Sequence, residues 1–215
     1  MHVCAIGFTA KRLLLPQCDY LRSLGYDISF AFSPCAASSE IRGLGYNVAD
    51  IEVPRSINPS IVSSVCNLQR CFQNARPHIV HTHTSMGGAI GRLAAQRAGV
   101  PHVIHTIHGF PFAEGQSWYK YFIYSTVEKR LARITDMLLS QSREDVNTAM
   151  KLGIVAREGP PVHIGNGVDT QQFSREKYPE DEKTSLKSEL RIGEEPVIAT
   201  IARLTFEKGY AELVN

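Results

Sequence analysis

Apolar residues along this chain fall into short blocks, and the stretches between them carry apolar positions at helical spacing. Residues 2–8, 27–32, 47–53, 78–82, 102–107, 136–140 and 162–165 read as strands of both-face apolar character. Helical stretches fill the gaps. Leu14, Cys18, Leu21 and Leu24 mark one, closed by Gly25, and a short helix over residues 38–44 ends at Gly45. Ile61, Val65, Leu68 and Phe72 line a face of residues 59–75, which stop before Pro77. Residues 85–98 precede Gly99 and residues 143–152 precede Gly153. In the long helix 117–134, Tyr124, Val127, Leu131 and Ile134 are expected to face the core. Strands apolar on both faces alternating with helices predict an α/β fold, a Rossmann-like parallel sheet flanked by helices.

An eighth apolar block, residues 196–202, follows a polar, charge-rich passage. The stretch 162–169, with Phe173 after it, therefore reads as the crossing from one lobe to another. Asn166 and Gly167 make it a turn, because both tolerate positive φ. The expected organisation is an N-terminal lobe over 1–170, a linker over 171–195, and the first strand and loop of a second lobe over 196–215.

Composition narrows the class. The 215 residues are 43% hydrophobic, enough for one core and part of another. A net charge of +2 does not mark a nucleic-acid binder. The five cysteines show no paired or metal spacing, which fits ordinary buried thiols in a reducing, cytoplasmic setting. No apolar run approaches a membrane span, and residues 1–8 lack the basic start of a signal peptide.

In doubly wound sheets ligands gather at the carboxyl ends of the strands. After the first strand, Gly7-Phe8-Thr9-Ala10-Lys11-Arg12 is no dinucleotide or Walker loop, yet Thr9 and Lys11 suit an anionic or hydroxylated ligand. After the fourth, His81 and His83 share a face, and Gly87-Gly88 lets a helix start approach either a ligand or the sheet. After the fifth, His108 would face the cleft, where an imidazole can bind phosphate or sugar hydroxyls. Arg203 and Lys208, five residues apart, suit a diphosphate. The segment 110–124 holds seven of the 18 aromatics, and Trp118 and Phe122 suit a lipid-linked ligand or a membrane interface.

Taken together, these pieces resemble the family-4 retaining glycosyltransferases of GT-B architecture. The resemblance rests on His108 in T-I-H-G, on N-G-V-D at 166–169 with Phe173, and on R-L-T-F-E-K at 203–208. The runs 81–88 and 105–112 look like the members that build bacterial surface polysaccharides. The resemblance implies a nucleotide-sugar donor, most often a UDP-sugar, and a polyprenyl-linked or saccharide acceptor. It implies Arg203 and Lys208 on the donor diphosphate and His108 beside the donor sugar, orienting and stabilising charge. It places Thr9, Lys11, His83, Gly87 and Gly88 at the acceptor side of the cleft, and Asn166, Gly167 and Asp169 between lobes. No D-x-D occurs, so no metal and no other cofactor is expected. The family's E-x7-E motif would lie beyond Asn215, so these residues alone are expected to be inactive, with residues 197–215 carrying a strand without its sheet, poorly ordered or packed in a makeshift way. The cytoplasm, at the inner membrane face, is the expected location.

Three other readings compete. A UDP-sugar epimerase would share the architecture, but N-G-V-D followed by R-x4-K speaks against it. A metal-dependent hydrolase would use His81, His83, His105 and His108 but lacks an acidic ligand at the neighbouring strand ends. An acceptor- or membrane-binding module would perform no chemistry.

Overall fold

The computed structural model describes residues 1–112, 117–193, 197–202, 204 and 209–214. They form two compact units, Met1–Asn166 and Gly167–Asn215. In the first unit, β1 (His2–Ile6), β2 (Ser29–Ser33), β3 (Asn47–Asp50), β4 (Ile79–His83), β5 (His102–Ile107), β6 (Met137–Ser140) and β7 (Val162–His163) make one sheet in the order β3-β2-β1-β4-β5-β6-β7. Every pairing is parallel. The order reverses between β1 and β4, which opens the switch-point crevice at their carboxyl ends.

Each face of the sheet carries its own core. On one face Cys4, Phe30 and Phe32 meet Ala10, Leu14, Cys18 and Ile41. These last come from a continuous helical run after β1 and from α3 (Ala36–Gly43). The run comprises α1 (Gly7–Thr9), a π-helical turn (Ala10–Leu14) and α2 (Leu15–Ser23). On the other face Val3, Ala5, Val80 and Val103 meet α4 (Ser60–Ala75) and α5 (Ser85–Ala98) through Leu68, Phe72 and Ile90. Period-two alternation along the strands sorts these residues, and the helical stripe at 65, 68 and 72 lies where its spacing requires.

The helix α5 sits unusually close. A Cβ on Gly87 would lie 2.8 Å from the Ala5 backbone nitrogen, and one on Gly91 would lie 2.7 Å from Thr82. A third cluster joins α6 (Trp118–Ala132) and α7 (Arg143–Leu152) to β6 through Phe112, Ala132, Leu138 and Ala149.

Several boundaries and faces differ from expectation. In α6, Val127 is exposed, and the buried positions are Glu128, Leu131 and Ala132. The reason is a buried ion pair: Arg92 of α5, fully buried, donates from Nη2 to Glu128 Oε2 at 2.9 Å and from Nε to Gly88 O at 3.0 Å. A charged residue thus occupies the core line, and the helix has turned to suit it. The cysteines are not uniformly buried: Cys4 and Cys18 are, with burial pushing both thiols up to about 12, whereas Cys35 is exposed. At the turn before the second unit the positive φ falls on Gly165, at 68°, rather than on Asn166 or Gly167.

In the second unit Asp169 Oδ1 accepts from the Gln171 and Gln172 backbones at 3.0 and 2.8 Å, closing a turn that leads to Phe173. A 3-10 turn (Arg175–Lys177), α8 (Glu180–Glu189) and α9 (Tyr210–Val214) follow. Glu180, Asp181 and Glu182 open α8, where negative charge complements the helix dipole. Residues 197–202 form no strand, contrary to expectation. A strand needs a neighbour to satisfy its backbone, and this unit supplies none among the described residues. Ile198 and Ile201 are correspondingly exposed.

Removing one partner of a buried ion pair leaves the other charged and unpaired, at about 3–5 kcal/mol. Arg92→Met should lower the urea-unfolding free energy by about that amount. The double change Arg92→Met with Glu128→Leu should recover much of the loss.

Candidate functional site

Strand alternation gathers histidines on one face of the sheet. His2 of β1, His81 and His83 of β4, Thr106 of β5 and His108 just after β5 all point to it, while His105 points to the other. The four-histidine metal set weighed from sequence is therefore split. His105 bonds with Thr82, its Nδ1 lying 2.9 Å from the hydroxyl, and it lies under Gly88, where a Cβ would come within 2.4 Å of the ring.

The other rings touch in sequence. His2 Nδ1 is 3.0 Å from His83 Nε2, and His83 Nδ1 is 3.2 Å from His108 Nε2. His108 Nδ1 is 2.9 Å from Gln141 Oε1, just past β6. His81 lies over His83 with ring centroids 4.2 Å apart and bonds through Nε2 to Thr106 Oγ1 at 2.7 Å. His2, His81 and His83 bring one ring nitrogen each within 4.8 Å of one another, the one such group among the described residues. His2 Nδ1, His81 Nε2 and both nitrogens of His83 already meet hydrogen-bond partners, and the arrangement reads as a hydrogen-bonded cluster.

Burial holds all of these rings below the usual imidazole range. His2 is pushed down to about 3, chiefly by burial and then by the chain's amino terminus. His83 and His81 are lowered by burial and by their histidine neighbours, and His105 by burial and then by Arg92. His108 is lowered by burial, against the opposing hydrogen bond to Gln141. The rings are neutral at pH 7.

The loop after His108 lies near Asp145 of α7. Burial and then Glu144 raise the Asp145 carboxyl, against the lowering influence of the nearby Phe110 and Gly109 backbones and Ser140. Gly109 has φ of 100°, a conformation that favours glycine. Across the crevice Thr84 leads into α5 with φ 63° and ψ 162°, and its buried Oγ1 has no partner among the described residues. A non-glycine residue held there stores strain of the kind found at ligand clamps. Between Thr84, Ser85, His108 and Pro111 the free space is about 10 Å³, room for one water.

The remaining candidate residues are placed as follows. Thr9 is buried in α1, and Lys11 is paired with Glu40. Lys11 nonetheless borders a groove of about 440 Å³ at the carboxyl ends of β1 and β2, with Gly7, Ser33 and Cys35. His83 is almost fully buried, one layer below His108. Gly87 and Gly88 press on β1 and His105, so packing alone requires glycine at both. Asn166 ends the first unit, and Gly167 and Asp169 begin the second. Trp118 is 80% and Phe122 64% exposed, beside a groove of about 450 Å³ with Tyr121 and Lys129. Arg203 and Lys208 lie outside the described residues. Sequence reasoning missed His2, Thr84, Gln141 and Asp145. For His2 a signal existed, since its strand pairs it with His81. For the others none did, because their roles depend on loops.

Residues 10–167 match the glycosyl transferase 4-like domain. The chain belongs to that family. The glycosyl transferase 4-like chain is 35% identical over 113 residues to a UDP-Gal:alpha-D-GlcNAc-diphosphoundecaprenol alpha-1,3-galactosyltransferase of Escherichia coli, covering 53% of this chain and 29% of the relative. It is 27% identical to the putative glycosyltransferase EpsD of Bacillus subtilis, covering 99% of this chain and 55% of EpsD. Among solved structures it resembles a glycosyltransferase from Rickettsia africae, with TM-score 0.71, 16% identity, and coverage of 100% of this chain and 54% of that one. Anabaena Alr3699/HepE, solved with UDP and glucose, gives TM-score 0.63 at 14% identity, covering 86% and 48%. These likenesses establish the GT-B fold of the lobe. The glycosyl transferase 4-like chain spans about half the length of these relatives, or less.

The neutral histidines carry a pH prediction. Below pH 6.5 the unfolded chain takes up protons on histidine that the folded rings refuse, so stability rises with pH in this window. Each histidine that stays neutral contributes about 1.4 kcal/mol per pH unit. For His2 the loss runs from pH 6.5 down to about 3. Urea midpoints should be flat above pH 7 and fall steeply below 6.5. A flat profile down to pH 5 would contradict the neutral cluster.

Proposed function

We propose that this chain is the acceptor-binding half of a retaining glycosyltransferase of polysaccharide biosynthesis. The donor is a nucleotide sugar, a UDP-sugar, and the acceptor is a lipid-linked or saccharide chain. Family membership supports the reaction class. A UDP-sugar and a diphosphoundecaprenol acceptor are named for the E. coli relative. The observation that carries the reading is His108, held at the carboxyl end of β5 beside the switch point by Gln141 and His83.

The chemistry follows from where charge develops. As the sugar–phosphate bond lengthens, the diphosphate gains negative charge, and fixed donors aimed at it lower the barrier. Arg203 and Lys208 supply that charge, and His108 orients the sugar and donates a hydrogen bond. The reading needs no metal, because two cations neutralise the leaving group. The Thr84 region leaves little room in this lobe by itself, and a second lobe would complete the cleft. The groove at Lys11 would take the acceptor, with Lys11 exchanging Glu40 for an anionic group.

A transfer assay with labelled UDP-hexoses and a polyprenyl-diphosphate sugar tests the reading. The 215 residues alone should give no turnover. Joined to a complete donor-binding lobe, they should transfer with retention, and His108→Ala should lower kcat about 100-fold. Robust transfer by these residues alone, or an unchanged His108→Ala enzyme, would refute it.

The same proposal seats α6 on the membrane. Among the described residues no helix is long and apolar enough to cross a bilayer. Trp118, Phe122 and Ile123 are at least half exposed, with Lys120 between them. An apolar face with interleaved cations suits an anionic interface. Replacing Trp118 and Phe122 by serine should weaken co-sedimentation with anionic liposomes at least tenfold, since each large apolar side chain contributes roughly 1.5–3 kcal/mol. Unchanged sedimentation would remove the membrane from the proposal.

A further inference from the structure

The chain His2–His83–His108–Gln141 crosses β1, β4, β5 and the end of β6 through three contacts of 3.0, 3.2 and 2.9 Å. Each contact requires one hydrogen, and a neutral imidazole carries one. The amide oxygen of Gln141 accepts and cannot donate, so the hydrogen of His108 sits on Nδ1. Its Nε2 is then a lone pair and must receive a hydrogen from His83 Nδ1. His83 Nε2 becomes a lone pair in turn and receives the hydrogen of His2 Nδ1. With the Gln141 amide oxygen turned to His108, as here, one side chain at the far end sets the direction of every bond; an amide turned to present its NH2 would reverse them all.

We propose that Gln141 is a positioning residue that locks His108, and through it His83 and His2, into the Nδ1–H form, so that His108 offers the cleft a hydrogen-bond donor and no free lone pair. The inference rests on reading His108 as the residue beside the donor. Moving the hydrogen of His108 to Nε2 would set two hydrogens facing each other across 3.2 Å unless His83 and His2 switched as well. General-base work by His108 is therefore closed. What remains is donation from Nδ1 to a phosphate or sugar oxygen that takes the place of Gln141 Oε1. The groups that act electrostatically on these rings are His81, His105 and the amino terminus, none of them acidic. No carboxylate among them charges a ring and spoils the order.

The test is a long-range proton–nitrogen correlation spectrum of the uniformly ¹⁵N-labelled 215-residue chain at neutral pH. His2, His83 and His108 should each show a protonated Nδ1 and an unprotonated Nε2. Gln141→Leu removes the terminal acceptor and should leave all three rings as tautomer mixtures together. Gln141→Glu keeps an acceptor at His108 Nδ1 and, as a carboxylate beside the ring, should raise the pH at which His108 takes a second proton; above that pH it should show the single Nδ1–H form. Gln141 is only half-buried, so both variants should fold, and circular dichroism checks that they do. A wild-type His108 protonated on Nε2, or a Gln141→Leu protein with unchanged tautomers, would overturn the proposal. So would one equivalent of Zn²⁺ shifting the His2, His81 and His83 signals together, because that would make the cluster a metal site. No substrate enters these spectra. A chain that failed the transfer assay yet showed these tautomers would sink the functional reading and leave this one standing.

Discussion

The seat of α5 on the sheet is the constraint from which most of this lobe follows. Gly87, Gly88 and Gly91 let the helix backbone rest where side chains would otherwise stand, with Ala5, His105 and Thr82 as the surfaces met. Backbone resists displacement, so the close approach at Gly87 tolerates no added methyl. The seat fixes the amino end of α5 beside the switch point and sets Thr84 in its strained conformation. It also brings Arg92 deep enough to need Glu128, which in turn decides how α6 is rotated. A helix one methyl further away would unmake that pairing and shift the loop that carries the site.

The opposite face of the same strands poses a different problem. Four imidazoles and a threonine hydroxyl sit where a parallel sheet usually places aliphatic groups. The solution is neutrality plus mutual hydrogen bonding. A charged ring there would cost several kcal/mol in lost hydration, and no carboxylate stands by to offset it. Each ring can act as donor and acceptor at once, which lets a chain of them satisfy itself without water. Order of this kind is fragile to one added proton and stable to almost everything else. Rigidity at neutral pH and weakness in acid are two consequences of the same chemistry.

Much of this was legible in the chain. The carboxyl ends of α5 and α7 follow from Gly99 and Gly153, and β5 from the apolar run that opens at His102, because caps and period-two runs act locally. The α/β class and the parallel sheet follow from strands apolar on both faces. The core face of α6 was misread because Glu128 breaks the apolar stripe, and only a partner from α5 makes a glutamate a core residue. The shared face of His81 and His83 was visible, but Gln141 was not, since nothing local says that a glutamine after β6 will meet a histidine after β5. The split between His105 and His108 was readable from their odd spacing, had it been applied. Where an outcome depended on one element it could be read. Where it depended on two distant loops, sequence alone gave no handle.

The lobe is a self-satisfied version of a binding site. His108 has both nitrogens engaged, Lys11 is held by Glu40, and the space between β4 and β5 admits about one water. Apart from the buried Thr84 hydroxyl, the polar groups named here already have partners, so binding at them must be an exchange. An anionic group can displace Glu40 from Lys11, and a phosphate oxygen can displace the amide of Gln141, because a charged acceptor makes the stronger hydrogen bond. A neutral sugar hydroxyl gains little by either exchange. On the proposed reading, the lobe would discriminate by charge before it discriminates by shape, in favour of diphosphate-bearing ligands.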